Sequence, residues 1–391
     1  MPRTSESPAP ITTPASAAVF TTVLTGGPVS RVEIARRTGL SSAAVTRTAR
    51  PFIEAGYLEE TEAGERTAPG AGRPANPLAI RADREFFIGV KITNEDLIGV
   101  VCDLRAQVRT SRHHVLTTQN VDGVVAALAE LVEELLSESD AYRERTYCLG
   151  VAVSGDVDRA SGLVRYSPFL GWRDVPLAAL LSDATGLATT LENDVKALTV
   201  AEQWFGKGVG ASSFALVTVG TGIGCAMVVN GGLVAGAHNV AGELGHVRVA
   251  DAGPVCHCGG SGCIEAIASS GAIVTQARLA SGDAELSMDE AVTRARAGEE
   301  GIRSAFDRAG HAIGLGLAAV ANLIGPERIV VSGEGLAAYD LFEEQIRETF
   351  AVQAFGAAAR CELIIRPLPF EEWARGAAAT AVQTLFTTES V

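Results

Sequence analysis

Three cysteines and two histidines lie close enough together in the sequence to bind a metal ion. The thiols are those of Cys256, Cys258 and Cys263, and glycines between them would let the loop bend around an ion. One imidazole would complete a set of four ligands, either from His246 or from His257, which lies between two of the cysteines and would crowd the loop. Three thiolates and one imidazole form a closed tetrahedral site, which is typical of structural zinc. A chance cluster of free cysteines is the alternative.

The bulk properties of the chain indicate a multidomain globular protein. It has 391 residues, of which 47% are hydrophobic and 20% charged. Seven cysteines, an odd number, fit a disulfide framework poorly. No apolar stretch approaches the roughly 20 residues that cross a bilayer, and residues 1 to 16 lack the apolar core of a secretory signal. We therefore expect a cytoplasmic protein without a membrane partner, and a disordered tail over residues 1 to 16.

The charge is unevenly distributed along the chain. The net charge is -14, which would oppose binding to nucleic acid if it were spread evenly. Residues 1 to 80, however, contain eight arginines and seven glutamates, so that this part carries a charge of +1. The remainder carries -15. This separation of charge is compatible with a small N-terminal domain that binds DNA and a larger acidic body.

Three short helices are predicted in the N-terminal part. Residues 26 to 28 end the first, Gly39 ends the second, and a serine can cap the third. In the third helix Val45 would point inward and polar residues outward, as in a recognition helix, while Pro51 would interrupt a hydrogen bond. The predicted DNA contacts here are Ser41, Ser42, Thr46, Arg47 and Arg50.

A wing is predicted after the third helix. Residues 57 to 60 and 78 to 80 would pair as strands, and Arg73 in the glycine-rich segment between them suits a narrow minor groove. Residues 17 to 81 therefore resemble the winged helix-turn-helix domains of bacterial repressors. The alternative is a three-helix interaction module whose arginines are only a solvated surface.

Residues 82 to 391 show the same arrangement of elements twice. A meander of three strands precedes a helix and a further strand in each half, which predicts a duplicated, two-lobed α/β body with a cleft between its lobes. The predicted elements are strands at 86–92, 97–102, 107–110 and 148–153 with a helix at 121–136, then strands at 214–219, 225–230, Leu233 and 328–331 with a helix at 302–323. This layout resembles the actin-like, ribonuclease-H-like fold of the sugar-kinase superfamily.

In that superfamily two glycine-rich turns bind nucleotide phosphates through backbone N–H groups. The first turn, Asp-x-Gly-Gly-Thr, corresponds here to residues 91 to 95, where Lys91 replaces the carboxylate that organises Mg²⁺ and where Asn94 and Glu95 add bulk and negative charge. Phosphoryl transfer depends on positioning and charge neutralisation, so we expect no ATP-dependent kinase activity. The second turn is kept, either as a vestigial phosphate loop or as a structural hairpin. Its residues are Gly220, Thr221, Gly222 and Gly224.

Three motifs together resemble the ROK family of repressors and sugar kinases, over residues 17 to 385. They are residues 219 to 224, the Gly-Glu-Leu-Gly-His sequence of residues 242 to 246, and residues 256 to 265. The resemblance implies that a structural Zn²⁺ orients Glu243 and Glu265 toward a sugar. It also implies that residues 192 to 194 form the sugar-binding segment, in which Asp194 is the general base of the kinases. The implied zinc ligands are His246, Cys256, Cys258 and Cys263.

The implied sugar ligands also have the chemistry that a polyol requires. Carboxylates accept hydrogen bonds from neighbouring hydroxyls, and asparagine both donates and accepts. Trp172, in the loop at residues 168 to 172, would border the cleft as an apolar platform. Asp194 would be a vestigial base, unless it serves only as a helix N-cap. The predicted sugar-binding residues are Ser154, Gly155, Asn193, Asp194, Glu243, His246 and Glu265.

These predictions together describe a sugar-responsive repressor. Sugar binding would shift the lobes and thereby reposition paired DNA-binding domains of a homodimer or homotetramer on a palindromic operator. Two alternatives remain. One is an active sugar kinase with an accessory DNA-binding domain, and the other is a regulator that responds to a phosphosugar or a protein partner.

Overall fold

The computed structural model describes residues 8–61 and 76–386. They fall into two compact units, one made of the chain up to residue 209 together with the part after residue 370, the other of residues 210–370. The predicted wing with Arg73 lies outside the described residues. No helix among the described residues combines the length and the hydrophobicity needed to cross a membrane.

Residues 8–61 and 76–81, here called the head, form three helices and a two-stranded antiparallel sheet, the element order of a winged helix-turn-helix. Ser30 and Ser41 cap the second and third helices by accepting backbone N–H groups of the first turn. Gly39 ends the second helix with φ 72°, a left-handed conformation that favours glycine. Pro51 lies within the third helix and does not end it. The elements are α1 (Pro14–Gly26), α2 (Arg31–Thr38), α3 (Ser42–Glu54), β1 (Leu58–Glu60) and β2 (Leu78–Ile80).

The prediction of a disordered tail is wrong for its last residues. Ile11 is only 5% exposed and packs in the core of the head. Thr13 caps α1 and forms a capping box with Ser16, so α1 begins at Pro14, before the predicted boundary. The sequence pattern missed this start because Pro and Ser dominate the segment, although Pro is favourable in the first turn of a helix.

The first unit is built around a five-stranded sheet in the order β10-β6-β3-β4-β5. The first three strands in the sequence form an antiparallel meander, and the other two run parallel to β3 or to each other. The elements are β3 (Phe86–Ile92), β4 (Asp96–Asp103), β5 (Val108–Val115), α4 (Val121–Ser137), α5 (Asp140–Arg145), β6 (Thr146–Val153), β7 (Asp156–Asp158), β8 (Leu163–Ser167), β9 (Trp172–Val175), α6 (Leu177–Thr185), β10 (Ala188–Asn193) and α7 (Asp194–Phe205).

The second unit repeats this topology with the strand order β13-β12-β11-β14-β15. An antiparallel meander is again extended by two parallel strands, which confirms the predicted duplication and the fold class. The last helix returns to the first unit. The elements are β11 (Phe214–Val219), β12 (Ile223–Val229), β13 (Gly232–Leu233), α8 (Ile264–Ala268), α9 (Ser270–Ser281), α10 (Met288–Arg296), α11 (Glu300–Ile324), β14 (Arg328–Ser332), α12 (Glu343–Gln353), β15 (Glu362–Ile365) and α13 (Glu371–Gln383).

Helix α13 lies directly on the first sheet because two strands carry glycine at the crossing. A Cβ atom on Gly89 would lie 2.0 Å from the carbonyl oxygen of Ala374, and one on Gly150 would lie 1.9 Å from that of Ala377. No other residue type fits at such separations. The close approach brings both α7 and α13 against the sheet and fixes the start of α7, where the predicted sugar-binding segment lies.

The head shares one hydrophobic core with the first unit, so the predicted boundary at residue 81 is not a gap in packing. The ring of Phe20 stacks on that of Phe52, with centroids 4.9 Å apart. Phe20 also contacts Phe386, just beyond α13, at 5.7 Å, and Phe386 contacts Trp204 of α7 at 5.2 Å. Buried aromatic rings contribute large apolar areas. The chain therefore holds its head through residues from both ends of the sequence.

Candidate DNA-binding, metal and sugar sites

The exposed side of α3 carries the polar residues predicted to contact DNA. Val45 and Ala49 are fully buried, so the opposite side of the helix faces solvent. Ser41 is also exposed, but its hydroxyl accepts the N–H of Ala44 and thereby caps the helix. The remaining predicted contacts on α3, all exposed, are Ser42, Thr46, Arg47 and Arg50.

The arginines of the head differ in how far their charge is neutralised. Arg50 pairs with Glu54, with 2.7 Å between Nε and Oε1. In α2, Glu33 accepts hydrogen bonds from Arg36 and Arg37, which lower the pKa of its carboxyl far below the usual range. Arg47 forms no ion pair within residues 8–61 and 76–386. Arg47 therefore contributes an unpaired positive charge at the second turn of α3, while Arg36 and Arg37 share one carboxylate and leave one further positive charge on α2.

The four predicted zinc ligands lie together in the second unit. One ligand atom each of His246, Cys256 and Cys258 lies within 4.8 Å of the others. His246 Nδ1 is 3.5 Å from Cys256 Sγ, and the sulfurs of Cys258 and Cys263 are 3.8 Å apart. Ligands bound about 2.3 Å from one ion at tetrahedral angles lie roughly 3.8 Å apart. These separations, among His246, Cys256 and Cys258 and between Cys258 and Cys263, are of the size that two ligands of one tetrahedral ion would have.

The cysteine loop is shaped by its glycines. The N–H of Cys256 donates to the carbonyl of Gly260 at 2.8 Å, which closes the loop, and Gly259 adopts φ 90° at the bend. The N–H of Gly260 donates to the sulfur of Cys258 and lowers the pKa of that thiol. Because thiolate is the form that binds metal, this backbone contact favours the ligand state of Cys258.

The geometry favours His246 over His257 as the imidazole ligand. His257 Nδ1 is bound by Glu265 Oε1 at 3.1 Å, so this ring faces a carboxylate. His246 instead directs Nδ1 toward Cys256, and its Nε2 lies 3.8 Å from Glu243 Oε2. A carboxylate on the outer nitrogen of a metal-bound histidine orients the ring and increases its basicity. Glu243 lies where such a partner is needed.

Asp194, the predicted vestigial base, forms a buried ion pair with Lys91 in the first unit. The ammonium also donates to Ser154 Oγ at 3.1 Å, and this hydroxyl donates to Asp194 Oδ2 at 2.6 Å. Trp373 covers the ammonium, with its ring centroid 5.4 Å away. The three polar side chains form one closed network, which the sequence analysis missed. The available signal was a lysine in an otherwise apolar strand.

The network controls the ionisation of Asp194. Burial by itself would raise the pKa of Asp194, but the charge of Lys91 and the hydrogen bonds from Lys91 and Ser154 outweigh it, and the pKa lies below its usual value. The carboxylate is therefore ionised at neutral pH and already bonded on Oδ2. A general base needs a pKa near the operating pH and a free lone pair toward its proton donor. Asp194 meets neither condition well.

Asn193 and Gly155 build the edge of the predicted sugar-binding segment. Asn193 Oδ1 accepts the N–H groups of Val195 and Lys196 as the N-cap of α7, and its Nδ2 donates to the carbonyl of Gly155 at 3.1 Å. Gly155 has φ 122°, and a Cβ there would lie 2.2 Å from the carbonyl oxygen of Tyr166. This asparagine therefore ties the end of β6 to the start of α7.

Two interpretations from the sequence are wrong. Asn193, and not Asp194, is the N-cap of α7. Asn193 has the extended backbone that a cap requires, whereas Asp194 is already the first residue of the helix. Trp172 is not an open platform. It is 4% exposed, packs in the core of the first unit, and donates its indole N–H to the carbonyl of Gln119 at 2.7 Å.

Both turns that correspond to the phosphate turns of the sugar kinases have several backbone donors bound within the protein. In the first, Thr93 Oγ1 accepts the N–H groups of Glu95 and Asp96 at 3.2 and 2.8 Å. The second turn is a hairpin in which Gly220 donates to Gly222 at 3.1 Å and Gly224 lies in β12. The N–H groups on either side of Gly222 are bound by glutamates of the same unit.

Comparison with known proteins agrees with this fold. The ROK family model matches residues 87–384. The N-acetylglucosamine repressor of Escherichia coli O6:H1 is 28% identical over 327 residues, which are 82% of this chain and 80% of that protein. A crystal structure of a ROK family transcriptional regulator, a homologue of the E. coli Mlc protein, has a TM-score of 0.79 and 25% identity, covering 95% of this chain and 96% of its own.

A kinase matches a smaller part of the chain. The ROK family glucokinase from Streptomyces griseus, solved with glucose and AMPPNP, has a TM-score of 0.67 and 26% identity. It covers 76% of this chain and 99% of its own. The match to the family model spans more than two thirds of the sequence, and the motifs that carry the resemblance lie within it. This chain is a member of the ROK family.

Proposed function

We propose that this protein is a sugar-responsive transcription regulator, most simply a repressor, that binds operator DNA through α3. The observation that carries the proposal is the joining of a polar, basic helix surface to a sugar-kinase fold in one packed core. The similar regulator extends over nearly the whole chain, whereas the similar glucokinase leaves about a quarter of it uncovered.

The head supports DNA binding by its charge as well as its shape. A recognition helix presents its first turns to base edges, and Arg47 lies there with no acidic partner among the described residues. The exposed hydroxyls of Ser41 and Ser42 add neutral donors toward phosphates. A homodimer or homotetramer would pair two heads, so that a palindromic site with half-sites about one helical turn apart is the expected operator.

In the first unit, sugar binding is assigned to Ser154, Gly155, Asn193 and the ionised carboxylate of Asp194. The network around Lys91 holds Ser154 and Asp194, and Asn193 donates to the carbonyl of Gly155. In the second unit, the resemblance to the family assigns Glu243 and Glu265, each beside a histidine. Fixed acceptors of this kind bind vicinal hydroxyls and discriminate against ligands that lack them.

A structural Zn²⁺ is assigned to His246, Cys256, Cys258 and Cys263. The donor set of three thiols and an imidazole is of the closed, noncatalytic type, and the ligand separations fit. When bound, the ion would cross-link the chain on both sides of residues 247 to 255. It would also fix His246 against Glu243.

Kinase activity is not expected. The position of the magnesium-organising carboxylate holds Lys91, the first turn is closed by Thr93, and Asp194 is ion-paired rather than free to take a proton. An active kinase with an accessory DNA-binding head remains the rival function. A coupled ADP-release assay with a panel of hexoses distinguishes the two, since turnover at ordinary enzymatic rates would exclude the present proposal.

Helix α7 provides a physical connection between the sugar-binding segment and the head. It begins at Asp194, and eight of its first nine residues are buried, all except Val195. Over 12 residues it extends about 18 Å. At its far end Trp204 contacts Phe386, which contacts Phe20 of α1. A ligand that moves the start of α7 would therefore displace the aromatic contact on which the head rests.

The first prediction tests DNA binding and the sugar response. With a DNA site selected from a random pool, Arg47→Ala should weaken binding about tenfold, because one guanidinium contact to a base or phosphate is lost. Arg143→Ala, an exposed and paired arginine outside the head, should have no effect. Fluorescence anisotropy measures both.

The same assay tests the sugar response. At least one monosaccharide or sugar phosphate of a panel should change the affinity of the unaltered protein for DNA. An affinity that no sugar of the panel changes would contradict the sugar response.

The second prediction concerns the metal. Native mass spectrometry should show one zinc per chain, and Cys258→Ser or His246→Ala should lose it. Two controls should keep it: His257→Ala, and Cys361→Ser, which removes a cysteine of the same unit outside the cluster. Protein purified without chelators that contains no zinc would disprove the site. If His257→Ala loses the zinc and His246→Ala keeps it, then His257 is the ligand in place of His246.

The third prediction concerns the buried ion pair. Lys91→Met should lower the free energy of unfolding by about 3–5 kcal/mol at pH 7, because Asp194 remains buried and charged without a partner. The double variant with Asp194→Asn should lose less than the sum of the single changes. Urea unfolding measures all three, and additive losses would argue against coupling.

The same variants give a pH signature. In the unaltered protein the lowered pKa of Asp194 gives stability that is present at pH 7 and lost only as the pH falls through the folded-state pKa. In Lys91→Met burial dominates and raises the pKa, so the variant should gain stability between pH 7 and pH 5 relative to the double variant. A constant difference between them would contradict the assignment.

The fourth prediction tests the connection through α7. Phe386→Ala should keep sugar binding and leave operator binding near normal, but should reduce the ratio of operator affinities with and without sugar to below about twofold. Phe386→Leu, which keeps apolar volume, should be intermediate. Phe355→Ala, an exposed phenylalanine of the second unit, is the control. An unchanged ratio in a folded Phe386→Ala variant would exclude this route.

A further inference from the structure

The second glycine turn is filled by a carboxylate of the protein itself. Glu334 Oε1 accepts the backbone N–H of Thr221 at 2.7 Å. A Cβ atom placed on Gly220 would lie 2.1 Å from the same oxygen. The Glu334 side chain therefore occupies the space next to Gly220. Because glycine has no side chain, this space would otherwise be open to a ligand.

The position of Glu334 is fixed by the turn that follows β14. Gly333 has φ 107°, and a Cβ there would lie 2.4 Å from the carbonyl oxygen of Val219, the last residue of β11. A Cβ atom placed on Gly335 would lie 2.9 Å from the same carbonyl oxygen. Two glycines thus press this segment against the end of β11, and the residue between them has little freedom to turn away.

A second carboxylate binds the other side of the same turn. Glu265 Oε2 accepts the N–H of Ile223 at 3.0 Å, while its Oε1 is bound to His257. Backbone N–H groups of a glycine-rich turn attract anions because their partial positive charges converge. Here the N–H groups of Thr221 and Ile223 both donate to carboxylates of the second unit.

We propose that Glu334 excludes phosphate-bearing ligands from this turn and so determines its selectivity. An incoming phosphate oxygen could reach the N–H of Thr221 only by displacing the carboxylate, whose space it would share and whose negative charge would repel it. Glu334 acts in the place of a bound anion. The inference goes beyond the proposed function and does not depend on operator or sugar binding.

Removing the carboxylate should therefore create an anion site. Glu334→Ala frees the N–H of Thr221 and opens the space over Gly220, with inorganic pyrophosphate as the probe. Isothermal titration calorimetry should show a dissociation constant at least about tenfold lower than for the unaltered full-length protein, the gain expected from one charge-assisted hydrogen bond. Glu334→Ser provides a second small substitution with the same expected gain, should the alanine variant fold poorly.

The matched control is Glu327→Ala. Glu327 also binds backbone N–H groups, those of Ser212 and Ser213, but at the opposite end of β11 from the glycine-rich turn. It should gain no pyrophosphate binding. Equal binding by the Glu334 variants and the unaltered protein, or an equal gain in Glu327→Ala, would overturn the proposal. A rise in melting temperature with pyrophosphate, confined to the Glu334 variants, would support it independently.

Discussion

The buried ion pair between Lys91 and Asp194 is the contact on which the first unit depends. A lysine in the middle of an apolar strand is unfavourable unless its charge is met, and Asp194, Ser154 and Trp373 together meet it. The same pair fixes the first residue of α7 against β3. It thereby joins the sheet, the predicted sugar-binding segment and the helix that reaches the head, and it keeps the carboxylate ionised as a hydrogen-bond acceptor.

The two turns that correspond to the phosphate turns of the sugar kinases keep their hairpin shape while several of their backbone donors are used for contacts within the protein. In the first turn a threonine hydroxyl takes two N–H groups. In the second, Glu334 and Glu265 take one each. The hairpins persist because their hydrogen bonds within the sheet are intact, whereas the groups that would bind phosphate are satisfied internally.

The features that could be predicted from the sequence are those that depend on residues close to one another in the chain. The helix caps at Ser30 and Ser41, the alternation of strands and helices and the cysteine loop are all set by residues a few positions apart. Contacts between distant segments were not predictable. Lys91 and Asp194 are 103 positions apart, and Thr221 and Glu334 are 113 apart, so only the topology brings them together. Trp172 was misjudged because spacing does not reveal which side of a short strand is buried.

The head contains the first described residues of the chain, yet its core is completed by some of the last. Phe20 rests on Phe386, and Ala381 and Val382 belong to the same core. The hydrophobic surface of α1 is therefore covered in part by residues that follow it by more than 300 positions in the sequence. The head taken alone would leave part of that surface exposed to water.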